Sequence, residues 1–122
     1  MRHISFSMTT DQILAGTKTV TRRIGWKFVK KGDLLLPVKK CMGLKAGEKH
    51  SVLREPIRVT EARQERLDRM LLDMDYGFDE CAKEGFGRHP TYCWPSEFVR
   101  MFCSMNPCSL EQVITRIEFE YT

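Results

Sequence analysis

Val113-Ile114-Thr115-Arg116-Ile117-Glu118-Phe119-Glu120-Tyr121 is the clearest strand in the chain, and its reading decides the fold. Side chains on a strand alternate between two faces. Val113, Thr115, Ile117, Phe119 and Tyr121 therefore share one face, and Ile114, Arg116, Glu118 and Glu120 the other. Nine residues of this kind, rich in β-branched and aromatic types, suit a pleated and half-buried surface. A long strand needs partners, and three other stretches qualify. Ile4-Ser5-Phe6-Ser7-Met8 alternates apolar with polar, as does Pro56-Ile57-Arg58-Val59-Thr60-Glu61-Ala62. Leu34-Leu35-Leu36-Pro37-Val38 is a short apolar run after the turn Lys31-Gly32-Asp33, consistent with burial on both faces. Pro37 is expected at an edge or bulge, because it lacks a ladder donor. Trp26 and Phe28 stand two apart and are expected on one strand face.

Short helices fill the middle. Thr9 or Thr10 fits an N-cap, Asp11 the first turn, and Gly16 the left-handed position that ends the helix. Leu67, Met70, Leu71 and Met74 have helical spacing and form an expected core stripe. Phe78 to Glu84 reads as a helix ended by Gly85, and Gly87 to Cys93 as a loop. Pro95-Ser96-Glu97 opens a helix with Phe98, Met101 and Phe102 on its apolar face, and Asn106-Pro107 ends it. Lys39 to Glu55, rich in Lys and Gly, is expected as an exposed loop with some strand near Cys41. Strands at both ends with helices between give a mixed α/β, mainly β class. The architecture expected is a small, partly closed β-barrel with short inserted helices; a ferredoxin-like α+β sandwich is the alternative.

The chain has 122 residues, 42% of them hydrophobic, which predicts one domain over 1–122 with a core of its own. No apolar run approaches the roughly 18 residues of a membrane helix, and the first residues lack the apolar region of a signal peptide. A soluble, cytoplasmic protein without a membrane partner is expected. Five cysteines form no C-x2-C pair, and the three histidines complete no familiar ligand spacing, so free thiols are expected and neither metal nor cofactor.

Charge is uneven. Residues 1–60 carry 13 Lys/Arg and 4 Asp/Glu, a net of +9; residues 61–122 carry 7 and 12, a net of −5. No acid lies between Gln12 and Gly32, while Lys18, Arg22, Arg23, Lys27, Lys30 and Lys31 are all basic. Such a patch attracts phosphates and releases counterions on binding them. Within it lies Gly16-Thr17-Lys18-Thr19-Val20-Thr21-Arg22-Arg23. On a turn after Gly16, Lys18 and Thr21 converge, with Arg23 beside them. Thr21 supplies a hydroxyl that needs a base, Lys18 is that base if its cationic neighbours lower its pKa, and Arg23 can hold a phosphate or polarise a carbonyl. An acid for the leaving group is not supplied by this segment. Trp26 offers a surface on which a base can stack.

Ile13-Leu14-Ala15-Gly16-Thr17-Lys18-Thr19-Val20-Thr21-Arg22-Arg23 resembles the signature of the ASCH domain family, with Gly16, Lys18 and Arg23 carrying the match. Thr21 stands where many members have glutamate. It is similar to the threonine of the small ASCH proteins that act as N4-acetylcytidine amidohydrolases. The resemblance extends to Lys31-Gly32-Asp33, to Ala82-Lys83-Glu84-Gly85-Phe86 and to Ile117-Glu118-Phe119. It implies a PUA-like β-barrel with a cleft that receives RNA or a modified nucleoside or nucleotide. It also implies a catalytic set of Lys18, Thr21 and Glu84, with Glu84 as the acid and no metal. Gly16, Arg22, Arg23, Trp26, Lys27, Lys30 and Lys31 would then hold the nucleic acid. Lys39 to Glu55 and Cys93 to Cys108 lengthen the chain beyond the compact amidohydrolases, and Trp94-Pro95-Ser96-Glu97-Phe98 has no counterpart there. Other ASCH members imply two alternatives, a metal-assisted ribonuclease on single-stranded RNA and a non-catalytic RNA-binding module.

Overall fold

The computed structural model describes residues 1–40, 47 and 51–122. The described residues form five strands: β1 (Arg2–Ser5), β2 (Val20–Arg23), β3 (Leu34–Val38), β4 (Ile57–Arg66) and β5 (Val113–Tyr121). Four helices accompany them: α1 (Thr10–Ala15), α2 (Arg69–Leu72), α3 (Met74–Cys81) and α4 (Pro95–Met105). A wide π-type turn, Ala82–Phe86, continues α3.

The strands form one sheet in the order β1-β3-β4-β5-β2. β1 and β3 run parallel; the other three pairs are antiparallel. β4 and β5 make the long central ladder, from Ile57 opposite Tyr121 to Arg66 opposite Val113. Its register slips between Val59 and Glu61, so Thr60 is an extra residue and the strand bends there. The mixed α/β expectation holds; of the partly closed barrel expected with it, the structure shows one five-stranded sheet that is not closed. Among the described residues no ladder joins the edge strands β1 and β2. A side chain spans that gap instead, where Arg23 Nη2 donates to the Ser5 carbonyl at 2.6 Å.

Two apolar clusters lie against the sheet. The first gathers Ile4, Phe6, Ile13, Val29, Leu35, Ile57, Val59, Ile117 and Phe119. The second packs Ile114 against Leu67, Met70, Cys81, Phe86, Phe98, Val99 and Phe102. Ile114 and Ile117 lie on opposite faces of β5, so both faces of that strand are covered. This is why Arg116, on the Ile114 face, is buried.

Local expectations fare unevenly. Gly16 ends α1 at φ 75°, and the helix at Pro95 and the strand at Val113 start where expected. Thr9 makes no side-chain cap; the Thr10 hydroxyl instead donates back to the Phe6 carbonyl at 2.8 Å. Trp26 and Phe28 lie on a turn rather than a strand, with Trp26 at φ 56° and their rings 5.3 Å apart. Pro37 is not on an edge strand. It faces Ile4 of β1, beyond the point where β4 leaves β3, so no β4 acceptor loses a donor. Met74 leaves the expected Leu/Met stripe and is exposed, because α2 ends at Leu72 and α3 starts in a new direction. The strand expected near Cys41 lies outside the described residues; Val38 and Val52 pair in an antiparallel bridge.

The two-cluster arrangement predicts that Ile114→Ala and Ile117→Ala each cost about 2–5 kcal/mol, since both are fully buried on different faces. Leu72→Ala, at an 81% exposed position, should change stability by less than about 0.5 kcal/mol. Chemical denaturation of the three variants measures this.

Candidate functional site

The site is built where β2, the segment before it and the π-type turn meet. After Gly16 the chain runs 17–19 without regular structure and docks on the turn, Thr19 N donating to the Lys83 carbonyl at 2.8 Å. This seats Lys18 over Glu84. Lys18 Nζ donates to Glu84 Oε1 and to the Glu84 carbonyl, both at 2.8 Å. From the other side Tyr121, at the end of β5, donates its hydroxyl to the Lys18 carbonyl at 2.5 Å. Gly85 permits the close approach. At φ 99° it takes a conformation that side chains disfavour, and a Cβ there would stand 3.0 Å from Gln12 and 3.3 Å from that of Lys18.

Arg22, Arg116 and Arg63 stand in one row across β2, β5 and β4. Like charges directly opposed on neighbouring strands repel. The helical layer answers with Glu80 and Glu84, and β4 itself with Glu65. Glu80, on α3, accepts from Arg22 Nη2 at 2.5 Å and from Arg116 Nη2 at 3.0 Å. Glu84 Oε2 accepts from Arg22 Nη1 at 3.0 Å, and Glu65 Oε2 lies 3.3 Å from Arg22 Nη2. Tyr76 donates to Glu65 and accepts from Arg63 at 2.8 Å. The buried members are three cations, Lys18, Arg22 and Arg116, and three carboxylates, Glu65, Glu80 and Glu84.

The electrostatics follow from these contacts. Burial alone would raise the Glu80 carboxyl, but the hydrogen bond from Arg116 and the charge of Arg22 outweigh it and hold it at about 2. Burial likewise works against the Arg22 charge, yet Glu84 and Glu80 keep its pKa above the ordinary arginine value. For Lys18 burial prevails and lowers the ammonium pKa, with Glu84 opposing it and Arg23 and Arg22 adding to it. Arg22 Nε is, among the described residues, the buried side-chain donor without a partner. In native structures such a group usually meets an ordered water or a ligand atom.

Above this floor opens a cavity of about 320 Å³. Lys18, Thr21 and Glu84 all border it, with Arg22, Arg23 and Trp26. Thr21 Oγ1 accepts from Arg23 Nε at 3.1 Å, while the Arg23 guanidinium lies 5.2 Å from the centre of the Phe6 ring. α4 closes the opposite side with Phe98, Met101, Phe102, Met105 and Asn106. The other sequence-predicted binding residues stand apart. Lys27, Lys30 and Lys31 are exposed on the turns after β2 and do not border the cavity, and Gly16 lies beside Arg54 and Tyr121. The Arg22 guanidinium faces carboxylates and is not presented at the surface. Sequence reasoning missed Tyr121, Glu80, Glu65 and Tyr76, which hold Lys18 and Arg22 in place. Their one signal was the acidic excess of the second half, which balances the basic first half. Among the described residues no group of three His, Cys, Asp or Glu is placed to hold a metal ion, and no helix is long and apolar enough to cross a membrane.

The depressed Glu80 carboxyl sets an acid limb. A group at about 4.5 when unfolded and about 2 when folded adds stability above pH 4.5, lost as pH falls through 2. Linkage makes this worth roughly 3 kcal/mol. Glu80→Gln should therefore be far less stable than the parent at pH 7, with the gap narrowing toward pH 2, as read from urea midpoints across that range. A constant gap would show that the Glu80 charge is not what Arg22 and Arg116 stabilise.

No protein-family model and no curated protein matches the chain. Solved structures do. A DUF984-family protein of Enterococcus faecalis V583 superposes with a TM-score of 0.61 at 16% identity, over 98% of this chain and 78% of that one. An ASCH domain from Lactobacillus crispatus JV V101 superposes with a TM-score of 0.57 at 17% identity, over 98% of this chain and 77% of that one. The resemblance read from the sequence thus holds at the level of the fold: this chain is built on the fold of the ASCH domain.

Proposed function

We propose that the cavity receives a nucleobase, of RNA or of a nucleotide, and that Lys18, Thr21 and Glu84 hydrolyse an amide carried on it. An N4-acetyl group on cytosine is the substrate that the sequence resemblance implies. One observation carries the reading: side chains from the segment before β2, from β2 itself and from a turn 60 residues later border one cavity. Its volume falls at the lower end of the range for small-ligand sites, as a single base requires. Phe6, Trp26, Phe98 and Phe102 give it aromatic walls against which a flat ring can stack.

The Lys18–Glu84 pair supplies both proton-transfer groups. Burial disfavours the Lys18 ammonium, and the hydrogen bond to Glu84 Oε1 is the path its proton takes. Moving that proton leaves a neutral amine, able to accept, and a carboxylic acid, able to donate. The amine takes the Thr21 hydroxyl proton, and the Thr21 oxygen attacks the acetyl carbonyl. Arg23 Nε, already donating to Thr21 Oγ1, favours negative charge on that oxygen. Glu84 protonates the departing exocyclic nitrogen, which frees cytosine. Glu84, again a carboxylate, takes a proton from the water that attacks the acetyl-Thr21 ester; Lys18 gives its proton to the departing threonine oxygen, acetic acid leaves, and the proton on Glu84 passes back to Lys18.

The binding part of the proposal has its own support. Lys27, Lys30 and Lys31 and the half-exposed Phe28 lie on turns next to Trp26, which borders the cavity. A base inside the cavity therefore has a basic, aromatic path for its flanking strand.

Incubation with N4-acetylcytidine, with and without chelator, followed by chromatography for cytidine, tests the reaction. Cytidine should form in both cases. Lys18→Ala, Thr21→Ala and Glu84→Gln should each lower the rate by about 10²–10⁴-fold while remaining folded. Activity lost to chelator points instead to metal-assisted chemistry. Absence of product ends the catalytic reading and leaves the binding one. For that, Lys27→Ala/Lys30→Ala/Lys31→Ala should weaken single-stranded RNA binding and reduce its salt slope by about 2.

A further inference from the structure

Cys81, Cys93, Cys103 and Cys108 are free thiols. Cys81 is buried in the second apolar cluster, and burial first, then the charge of Glu84, pushes its thiol up to about 12. It is a packing residue. Cys103 and Cys108 are placed differently. Cys103 lies in the last turn of α4; Asn106 and Pro107 end the helix and turn the chain back, which brings Cys108 Sγ to within 3.5 Å of Cys103 Sγ. Neither residue is fully buried, and both line a surface cavity of about 610 Å³ with Leu71, Val99, Arg100 and Glu111. A small oxidant can therefore reach both sulfurs. The bonded S–S distance is about 2.05 Å, so closure asks for an approach of about 1.5 Å.

We propose that Cys103 and Cys108 form a reversible dithiol that a hydroperoxide converts to a disulfide. Cys108 donates its hydrogen to Cys103, and burial and that bond hold the Cys108 thiol up at about 11. Because Cys108 is the donor of that bond and Cys103 the acceptor, we take Cys103 as the attacking sulfur and Cys108 as the resolving one. The Cys103 thiolate attacks a peroxide oxygen; the O–O bond breaks, one oxygen leaves as water with the proton, and Cys103 becomes a sulfenic acid. The Cys108 sulfur, losing its proton, attacks the Cys103 sulfur and displaces hydroxide, which takes that proton and leaves as water. Two thiols lose two electrons, and one hydrogen peroxide becomes two waters.

The bond would act on the nucleobase cavity from behind. Met105 and Asn106, enclosed between the two cysteines, line that cavity with Met101 and Phe102. Asn106 caps α4, its backbone N and its Nδ2 both donating to the Phe102 carbonyl, at 2.8 and 3.2 Å. Drawing Cys108 toward Cys103 shifts this cap. The sulfur chemistry itself does not depend on what the cavity binds.

The sequence gives a clean assay. The tryptic peptide 101–116 holds Cys103 and Cys108 and no other cysteine, while Cys93 lies alone in 89–100 as an internal control. The native chain is treated with hydrogen peroxide, alkylated and digested. Peptide 101–116 should appear unalkylated and about 2 Da lighter, and reductant should restore two alkylation sites. The conversion should run about tenfold faster in the native chain than in urea, because the fold holds the sulfurs together. Cys108→Ser should stop at a Cys103 sulfenic acid that dimedone traps, and amide exchange at Asn106 should change on oxidation of the parent. The proposal is overturned if Cys93 reacts while 101–116 stays doubly alkylated, or if urea leaves the rate unchanged.

Discussion

The Glu84 carboxylate, shared between Lys18 and Arg22, is the contact on which the rest of the site depends. It joins the three pieces that otherwise have only backbone in common: the segment after α1, the edge strand β2 and the turn after α3. Each of its oxygens serves one cation, so moving either cation leaves one oxygen of a buried carboxylate without its ion pair. A buried charge without a partner costs several kcal/mol, which makes this geometry stiff. In the proposed reaction that stiffness would keep Lys18 in position, as it is held at both its ammonium and its carbonyl.

The cost of this arrangement is spread over a larger neutral set. Three arginines in a row across three strands would repel, and Glu80 from α3, Glu84 from the turn and Glu65 from β4 itself cancel them. Such networks seldom add net stability over an apolar core, because every ion has given up its hydration. Their value is in specificity. A one-residue slip of β2 against β5 would turn Arg22 away from Glu80 and Glu84, so the pairing penalises wrong registers at the strand that carries Thr21.

Much of this was legible in the sequence, and the misses have physical causes. Period-two alternation placed β5 residue for residue, and Pro95 and Gly16 marked their helix ends, because these signals are local. Trp26 and Phe28 share the spacing of a strand face, but among the described residues no strand pairs with them, and pairing is not written in spacing. Closure of a barrel is likewise a property of edges that meet or fail to meet. The charge asymmetry was the most instructive signal. It reads as a patch for an external anion, yet Lys18 and Arg22 spend their charge on Glu84, Glu80 and Glu65. Of the basic residues between Gln12 and Gly32, Lys27, Lys30 and Lys31 are exposed, and to these the long-range field argument applies.

The Cys93 to Cys108 region, which stood out by length alone, gains a role from where α4 lies. Its Phe98, Met101, Phe102, Met105 and Asn106 form one wall of the cavity, facing the polar floor of Lys18, Thr21 and Glu84. The two walls do different work. The floor is fixed by ion pairs and admits little variation. The roof is largely apolar, with two methionines that adapt to the shape they meet. On the proposed reading, selectivity among flat ligands of similar polarity would come from the roof, through volume and contact. A helix held at its end by one asparagine cap, beside two thiols in contact, is the part of the site most able to change that volume.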